Sequence, residues 1–333
     1  MKISLIFGGQ GSQKAGMGRE FFNQSAAAKE FFEVVCEQQK ADFASVMFEE
    51  NPLLSRSDWT QSCVLLNAFM AFCALKESVF NSASKEASLG ELAAKLSGFS
   101  GKEIGLEASF GHSLGEFGAL GVSGAFGVGE SGLAKAVGLV AKRGEAMMRA
   151  CEGAGAGMLV VLGLSDEVVI NACKQWQEAG KKAWAANFNC DGQIVVAGLR
   201  SDLEGLASHL KESGAKRAML LDMSVASHCP LLQSAADEFE GVVNTALSEQ
   251  FLPVISNVTA KPYSTKAEAS ELLKAQLTSP VLYKQSVLAL EADVFVEFGT
   301  NILSGINRKV TQKPTFSVTD AASLQAFLDF LRG

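Results

Sequence analysis

Histidine is scarce in this chain of 333 residues: His112, His209 and His228 are the only three, so a reaction needing an imidazole base has few candidates. No Cys-x-x-Cys pair occurs among the seven cysteines, Cys36, Cys63, Cys73, Cys151, Cys173, Cys190 and Cys229. Their odd number and scatter exclude a disulfide framework and a zinc-binding set, so no metal is expected and a reducing, cytoplasmic location is. Basic side chains are in deficit, 29 against 36 acidic for a net charge of −7, which argues against a nucleic-acid binder. No stretch approaches the ~20 apolar residues of a spanning helix, so no membrane insertion is expected. The opening run, Ile3, Leu5, Ile6 and Phe7, is too short for a signal peptide, and the chain reads as complete. Gly9-Gln10-Gly11 lacks the third glycine of a dinucleotide fingerprint, and no Gly-Lys-Ser/Thr follows, which counts against a phosphate cradle.

What is present is enough apolar material, 48% of residues, for one large domain or two unequal ones. Residues 2–7 read as a buried strand leading into the loop Gly8-Gly9-Gln10-Gly11-Ser12-Gln13, at the strand end where open α/β sheets place their sites. Helical periodicity follows over residues 21–36 and 62–80, then an excursion rich in Ser, Gly, Ala and Lys over 81–107, to which no function is assigned. Beyond Gly132, Leu133, Ala136, Val137, Val140 and Met147 form one apolar helix face with Arg143 at its edge and Lys135, Lys142 and Arg149 opposite.

Between residues 154 and 223 the expected order is strand (158–164), helix opened by Ser165, strands 183–188 and 193–197 around Asp191-Gly192, a helix with a Ser201/Glu204 capping box ending at Gly214, and strand 218–221. That is the ferredoxin-like order. The fold class expected is α/β, with a parallel-sheet large domain (1–153 and 224–333) and an inserted ferredoxin-like small domain (154–223). Strands at 254–258, 294–298 and 315–318 resume the large sheet.

Gly111-His112-Ser113-Leu114-Gly115 has the Gly-x-Ser-x-Gly form that exposes a serine hydroxyl at a sharp turn between a strand, about 106–110, and a helix. A helix start capped by a serine would share the pattern. The Leu114 N–H, at a helix N-terminus, is half of an oxyanion hole, and the Gln10 loop is a candidate for the second donor. A serine needs a base. His112 is expected to project away from Ser113 and His209 to sit on a surface, which leaves His228, just before the turn at Pro230. Cys229 is its sequence neighbour and points the other way, so it reads as buried and inert. Arg143 entering an apolar face requires a carboxylate or equivalent, either a protein Asp or Glu or an acyl substrate's own carboxylate.

These segments together, Phe7 to Gln13, Gly111 to Glu116, Arg143-Gly144, Asn187-Phe188-Asn189 and Ser227-His228, resemble the malonyl-CoA:acyl carrier protein transacylases of bacterial fatty-acid synthesis. The resemblance spans nearly the whole chain and takes in Ala275-Gln276-Leu277 and Val296-Glu297-Phe298-Gly299. It implies a hydrolase-like large domain, malonyl-CoA and acyl carrier protein as partners, and a coenzyme A thioester as substrate with no resident cofactor. It also implies a malonyl-serine intermediate on Ser113, His228 as base, oxyanion amides from Gln10 and Leu114, and Arg143 on the malonyl carboxylate. The Gln276 main-chain carbonyl would orient His228, and Asn187 and Asn189 would line the site. Gly8 and Phe117 depart from the family's frequent proline and tyrosine. A small residue such as Ser227 accompanies branched malonyl units in related polyketide acyltransferases. Because the family's carrier is acidic, Lys181, Lys182, Lys211, Lys216 and Arg217 are expected to give a docking patch.

Two rivals stay open on residues alone. A serine hydrolase would want an acid between Ser113 and a late histidine, whereas Asp222 only just precedes His228 and no histidine follows it. A catalytically silent carrier or nucleotide-binding module would use the glycine loops for binding alone.

Overall fold

The protein is described from a computed structural model that covers residues 1–80, 85–223 and 225–333. The start of the expected 81–107 connection, and residue 224 where the large domain is expected to resume, lie outside the described residues.

Strand β1 (Lys2–Phe7) is central, because its alternating side chains enter two different cores: Ile3, Leu5 and Phe7 face one and Ile6 the other. Around it lie β2 (Gly105–Leu106), β3 (Phe110–Gly111), β10 (Val294–Phe298) and β11 (Thr315–Val318), forming a parallel five-stranded sheet in the order β11-β10-β1-β2, with β3 also beside β1. The single strand expected at 106–110 is thus two short pieces, one at each end of β1. Between them the segment leaves the ladder after Glu107, whose N–H still donates to the Ile3 carbonyl at 2.8 Å, consistent with its low apolar content.

Helix Ser57–Phe80 packs against the first face, with Phe69 edge-on to Phe7 at 6.2 Å between ring centroids, and helix Gly129–Cys151 packs on that helix. Contrary to the expectation from sequence, Ser57–Phe80 is long and apolar enough to cross a membrane, but its apolar stretch is 83% buried inside the fold. It is hydrophobic all round because it is enclosed all round.

The second lobe is a four-stranded antiparallel sheet of β4 (Ala156–Leu162), β5 (Ala183–Cys190), β6 (Gln193–Leu199) and β7 (Arg217–Leu220) in the order β5-β6-β4-β7. Helices Asp166–Glu178 and Arg200–Glu212 cover its outer face, completing a ferredoxin-like arrangement. Ser165 caps the first helix as expected, accepting from the Val168 N–H. Ser201 does not cap the second: β6 runs straight into that helix, Leu199 is its N-cap, and Ser201 already lies in the first turn. The inner face, with Met158, Ala186, Val195 and Ala197, joins the core of the large lobe. Main-chain bonds Phe188 N–H to Val281 O (2.9 Å) and Val281 N–H to Ala186 O (2.8 Å) pin β5 to the large lobe.

The strand expected at 254–258 is β8 (Gln250–Ile255), which pairs with β9 (Pro262–Thr265) in a separate hairpin and is joined to the main sheet by a Ser109–Val254 bridge. Pro253 has no N–H to offer a central ladder, which keeps β8 at an edge.

The backbone passes very close to β1 at Gly115, which opens the helix Gly115–Val122: a Cβ there would lie 1.9 Å from the Phe7 carbonyl oxygen. Gly115→Ala is expected to lower stability by about 3 kcal/mol or more, because the clash is with main chain and cannot be relieved by a rotamer change. A urea midpoint within error of the wild type would contradict this close approach.

Candidate active site

Ser113 sits between β3 and helix Gly115–Val122 with φ of 54°, a left-handed backbone that a non-glycine residue adopts only under constraint. The constraint is Asn257. Its Oδ1 accepts from the Ser113 N–H at 2.7 Å and its Nδ2 donates to the Gly111 carbonyl at 2.7 Å, clamping both sides of the turn.

The Ser113 Oγ lies 2.7 Å from Nε2 of His228, which is held on the loop after β7, also with positive φ (62°). Nδ1 of His228 is 2.7 Å from the main-chain oxygen of Gln276, in the last turn of helix Lys266–Thr278, where carbonyls lack intrahelical partners. A carbonyl can only accept, so Nδ1 carries the proton and Nε2 is free to take one from Ser113. Burial, and then the nearby Arg143 charge, push His228 down to about 3, so the imidazole is neutral at ordinary pH.

Arg143 is 1% exposed. It donates through Nη1 to Gln61 Oε1 (2.8 Å) and through Nη2 to Gln276 Oε1 (3.0 Å) and Ser113 Oγ (3.3 Å), and lies 5.6 Å from the centre of the Phe117 ring. Among the described residues no carboxylate pairs with it within 4.0 Å. The structural salt bridge left open by the sequence is therefore not formed, and the side chain is deeper than the helix edge expected for it. Burial lowers Arg143 to about 10, opposed by the charge of Glu116. Such a guanidinium is a poised receptor for a carboxylate.

A cavity of about 370 Å³ between the lobes collects Gln10, Ser113, Leu114, Arg143, Asn187, Asn189 and His228. Apolar walls come from Met158, Val160 and Val195 of the small lobe and Ile302, Leu303 and Ile306 of the large one. Ser227 also lines it. The Leu114 N–H is at the start of helix Gly115–Val122, and among the described residues neither it nor the Gln10 N–H finds a protein acceptor. The Gln10 side chain donates to Ser57 Oγ at 3.0 Å, which steadies its loop. Cys229 is buried, with burial raising its thiol to about 12, as an inert residue requires. Among the described residues no three His, Cys, Asp or Glu side chains converge as a metal-binding group.

Sequence reasoning missed four contributors. Asn257 lay inside an expected strand. Gln61 lies one residue before the helical stretch expected at 62–80 and faces inward from the first turns of Ser57–Phe80. His112 does not leave the site: its Nε2 is 2.8 Å from Asn189 Oδ1, and its ring lies 5.5 Å from that of Tyr283. Glu116, fully buried, takes hydrogen bonds from Gln276 Nε2 (2.6 Å), Tyr263 OH (2.8 Å) and the Asn257 N–H (3.2 Å). Burial pushes its carboxyl up to about 7 against the pull of those donors. Only its place in Gly111 to Glu116 marked it in the sequence. Of the residues expected to form a basic patch, Lys181 and Lys182 precede β5, Lys211 lies in helix Arg200–Glu212, Lys216 precedes β7 and Arg217 opens it; β5 and β7 are the two edge strands of the lobe.

A serine and histidine in this geometry, on a hydrolase-like sheet facing a ferredoxin-like lobe, with a buried guanidinium in the same cavity, define an acyl-transferring enzyme, and the family model "Acyl transferase domain" matches residues 103–313. The chain belongs to the malonyl CoA-acyl carrier protein transacylase family. It is 34% identical to that protein of Bacillus subtilis (strain 168) over 99% of this chain and 98% of the relative, and 31% identical to that of Haemophilus influenzae over 99% of each. The solved Helicobacter pylori malonyl-CoA:acyl carrier protein transacylase has a TM-score of 0.86 at 38% identity, covering 99% of this chain and 98% of that one. A malonyl-transacylase in complex with a holo type II PKS acyl-carrier protein has a TM-score of 0.86 at 26% identity, covering 99% and 100%.

A histidine held below its unfolded pKa binds its proton less readily folded than unfolded, so its neutrality stabilises the fold near pH 7 and that stability is lost as pH falls from about 6.5 toward 3. Glu116, raised to about 7, acts with the opposite sign between its unfolded value of 4.5 and 7. Relative to wild type, His228→Asn is expected to flatten the decline in urea-unfolding free energy between pH 6 and 5 by about 1 kcal/mol per pH unit. Parallel curves would mean that His228 titrates normally.

Proposed function

We propose that this chain transfers a malonyl group from malonyl-CoA to the phosphopantetheine thiol of acyl carrier protein, with Ser113 as nucleophile. The observation that carries this reading is the Ser113 Oγ held 2.7 Å from His228 Nε2 and 3.3 Å from Arg143 Nη2 in one cavity. Arg143 binds the malonyl carboxylate. His228 takes the Ser113 proton as Oγ attacks the thioester carbon, while the Gln10 and Leu114 N–H groups receive the developing oxyanion. The tetrahedral intermediate collapses, the C–S bond breaks, and His228 returns its proton to the departing thiolate of CoA. The carrier thiol then gives its proton to His228, attacks the malonyl-serine ester, and Ser113 leaves with the proton back on Oγ.

Two thioesters of similar energy flank the ester, so the transfer is nearly balanced and the enzyme must chiefly keep water out. The apolar cavity walls serve that need. The CoA thioester enters as substrate, and the steps require no resident cofactor. His228 takes its orientation from the Gln276 carbonyl in the place a triad acid would hold, and Asn187 and Asn189 form the cavity wall from β5. We assign residues 154–223 to the small domain and 1–153 with 224–333 to the catalytic domain, a division supported by the two separate sheets. Seven unpaired cysteines support a reducing cytoplasm as the setting.

Malonyl-CoA alone is expected to leave a malonyl adduct on Ser113, visible by intact-protein mass spectrometry and slow to hydrolyse; Ser113→Ala, still folded, takes up none. Rapid release of free malonate without carrier would instead make the protein a hydrolase. Arg143→Ala is expected to lower the kcat/KM for malonyl loading at least about 100-fold, with acetyl loading much less affected, since a buried charge partner is worth about 3 kcal/mol or more. Equal losses for the two acyl groups would show that Arg143 serves only the structure.

A further inference from the structure

We propose that Glu116 is a positioning residue for acyl selection: its carboxylate holds the Gln276 carboxamide in the one orientation that turns the amide oxygen toward Arg143. The inference rests on Arg143 as the receptor of the malonyl carboxylate.

The orientation follows from which partners can only give and which can only accept. Arg143 has donors alone, and its Nη2 lies 3.0 Å from Gln276 Oε1. The Ser113 carbonyl accepts alone, 3.1 Å from Gln276 Nε2. The Asn257 main-chain N–H can only donate, and it points at Glu116 Oε2 (3.2 Å), so that oxygen is an acceptor. Gln276 Nε2 lies 2.6 Å from the same oxygen, the shortest bond the carboxamide makes. Tyr263 OH, 2.8 Å from Oε1, holds the other end of the carboxylate. Glu116 therefore receives one amide hydrogen through the shorter bond and the Ser113 carbonyl the other, so that Glu116 reinforces the orientation in which the carbonyl end faces the guanidinium.

Arg143 is held by two neutral amide oxygens, those of Gln61 and Gln276. Losing one lets the planar guanidinium swing, and a flipped carboxamide would set donors against donors. The His228 contact is insulated from this, because it uses the Gln276 main-chain oxygen, fixed in helix Lys266–Thr278 whichever way the side chain turns. Loss of Glu116 should accordingly weaken the grip on a carboxylated acyl group while sparing the serine and histidine.

The test compares malonyl-CoA and acetyl-CoA loading of the full-length protein by Glu116→Ala, Glu116→Asp, Glu116→Gln and Arg143→Ala. Glu116→Asp retains the charge but is one methylene short, so it serves if the alanine variant does not fold. For both shortened variants kcat/KM for malonyl loading is expected to fall about tenfold, mostly in KM, with acetyl loading changed less than about threefold. Glu116→Gln, whose carbonyl can still accept from Asn257 and Gln276, should recover most of the malonyl selectivity. Equal losses for both acyl groups, or wild-type selectivity in the shortened variants, overturn the proposal. Wild-type selectivity in Arg143→Ala would overturn the reading of Arg143 itself; a malonyl-specific loss in Arg143→Ala beside equal losses for both acyl groups, or wild-type selectivity, in the shortened Glu116 variants overturns only the role of Glu116.

Discussion

A serine in a left-handed backbone costs about 1–2 kcal/mol, and the catalytic region depends on that cost being met at Ser113. Asn257 offsets it with two hydrogen bonds to the turn, and the missing side chains of Gly111 and Gly115 let the elbow pass against itself and against β1. Once the turn is closed, the hydroxyl reaches His228 and Arg143, and the Leu114 N–H opens a helix aimed into the cavity. Relaxing Ser113 into an ordinary helical or extended conformation would dissolve all three relationships together.

The second organising feature is a buried charge left without an ion-pair partner among the described residues. Arg143 is surrounded by amide oxygens, a hydroxyl and an aromatic ring, with Glu116 one carboxamide removed. Direct pairing with Glu116 would neutralise the guanidinium and block its face to an incoming carboxylate. Gln276 joins the pieces: its side chain bonds Arg143, Glu116 and the Ser113 carbonyl, and its main-chain oxygen fixes the His228 tautomer. The hydrogen bonds to Arg143 and Glu116 are thereby joined to the one that orients His228, through separate atoms of one residue.

The cavity exists because two lobes meet there. The inner face of the ferredoxin-like sheet is apolar and continuous with the large core, so the small lobe is packed in place, and the main-chain bonds to Val281 set its height. Asn187 and Asn189 reach the cavity from β5 as a result. The long helix Ser57–Phe80, apolar enough for a bilayer, instead supplies the floor on which β1 and helix Gly129–Cys151 rest, and it presents Gln61 to Arg143.

Much of this was legible along the chain because it depends on local spacing. Short apolar runs placed β1, β10 and β11; caps and turns such as Ser165 and Asp191-Gly192 placed the small-lobe elements; and glycines flanking Ser113 marked a turn that only small residues permit. Scarcity of histidine pointed to His228. The single strand at 106–110, the 254–258 strand and the Ser201 cap were misplaced because short β segments and helix starts are decided by what lies alongside them. Asn257 and Gln61 carry no local signature; each matters only through a partner more than 80 residues away. That His112 turns from Ser113 was readable from the turn, but its partner there, Asn189, was not, because a turn fixes backbone direction and not the distant neighbour that holds the ring. The chain by itself determined the element order and the chemical types available, since these follow from periodicity and composition. Which hydroxyl meets which imidazole, and that a buried arginine is paired with amide oxygens, was decided by the tertiary structure, because hydrogen bonds between distant segments form only once packing brings them within 3 Å or so.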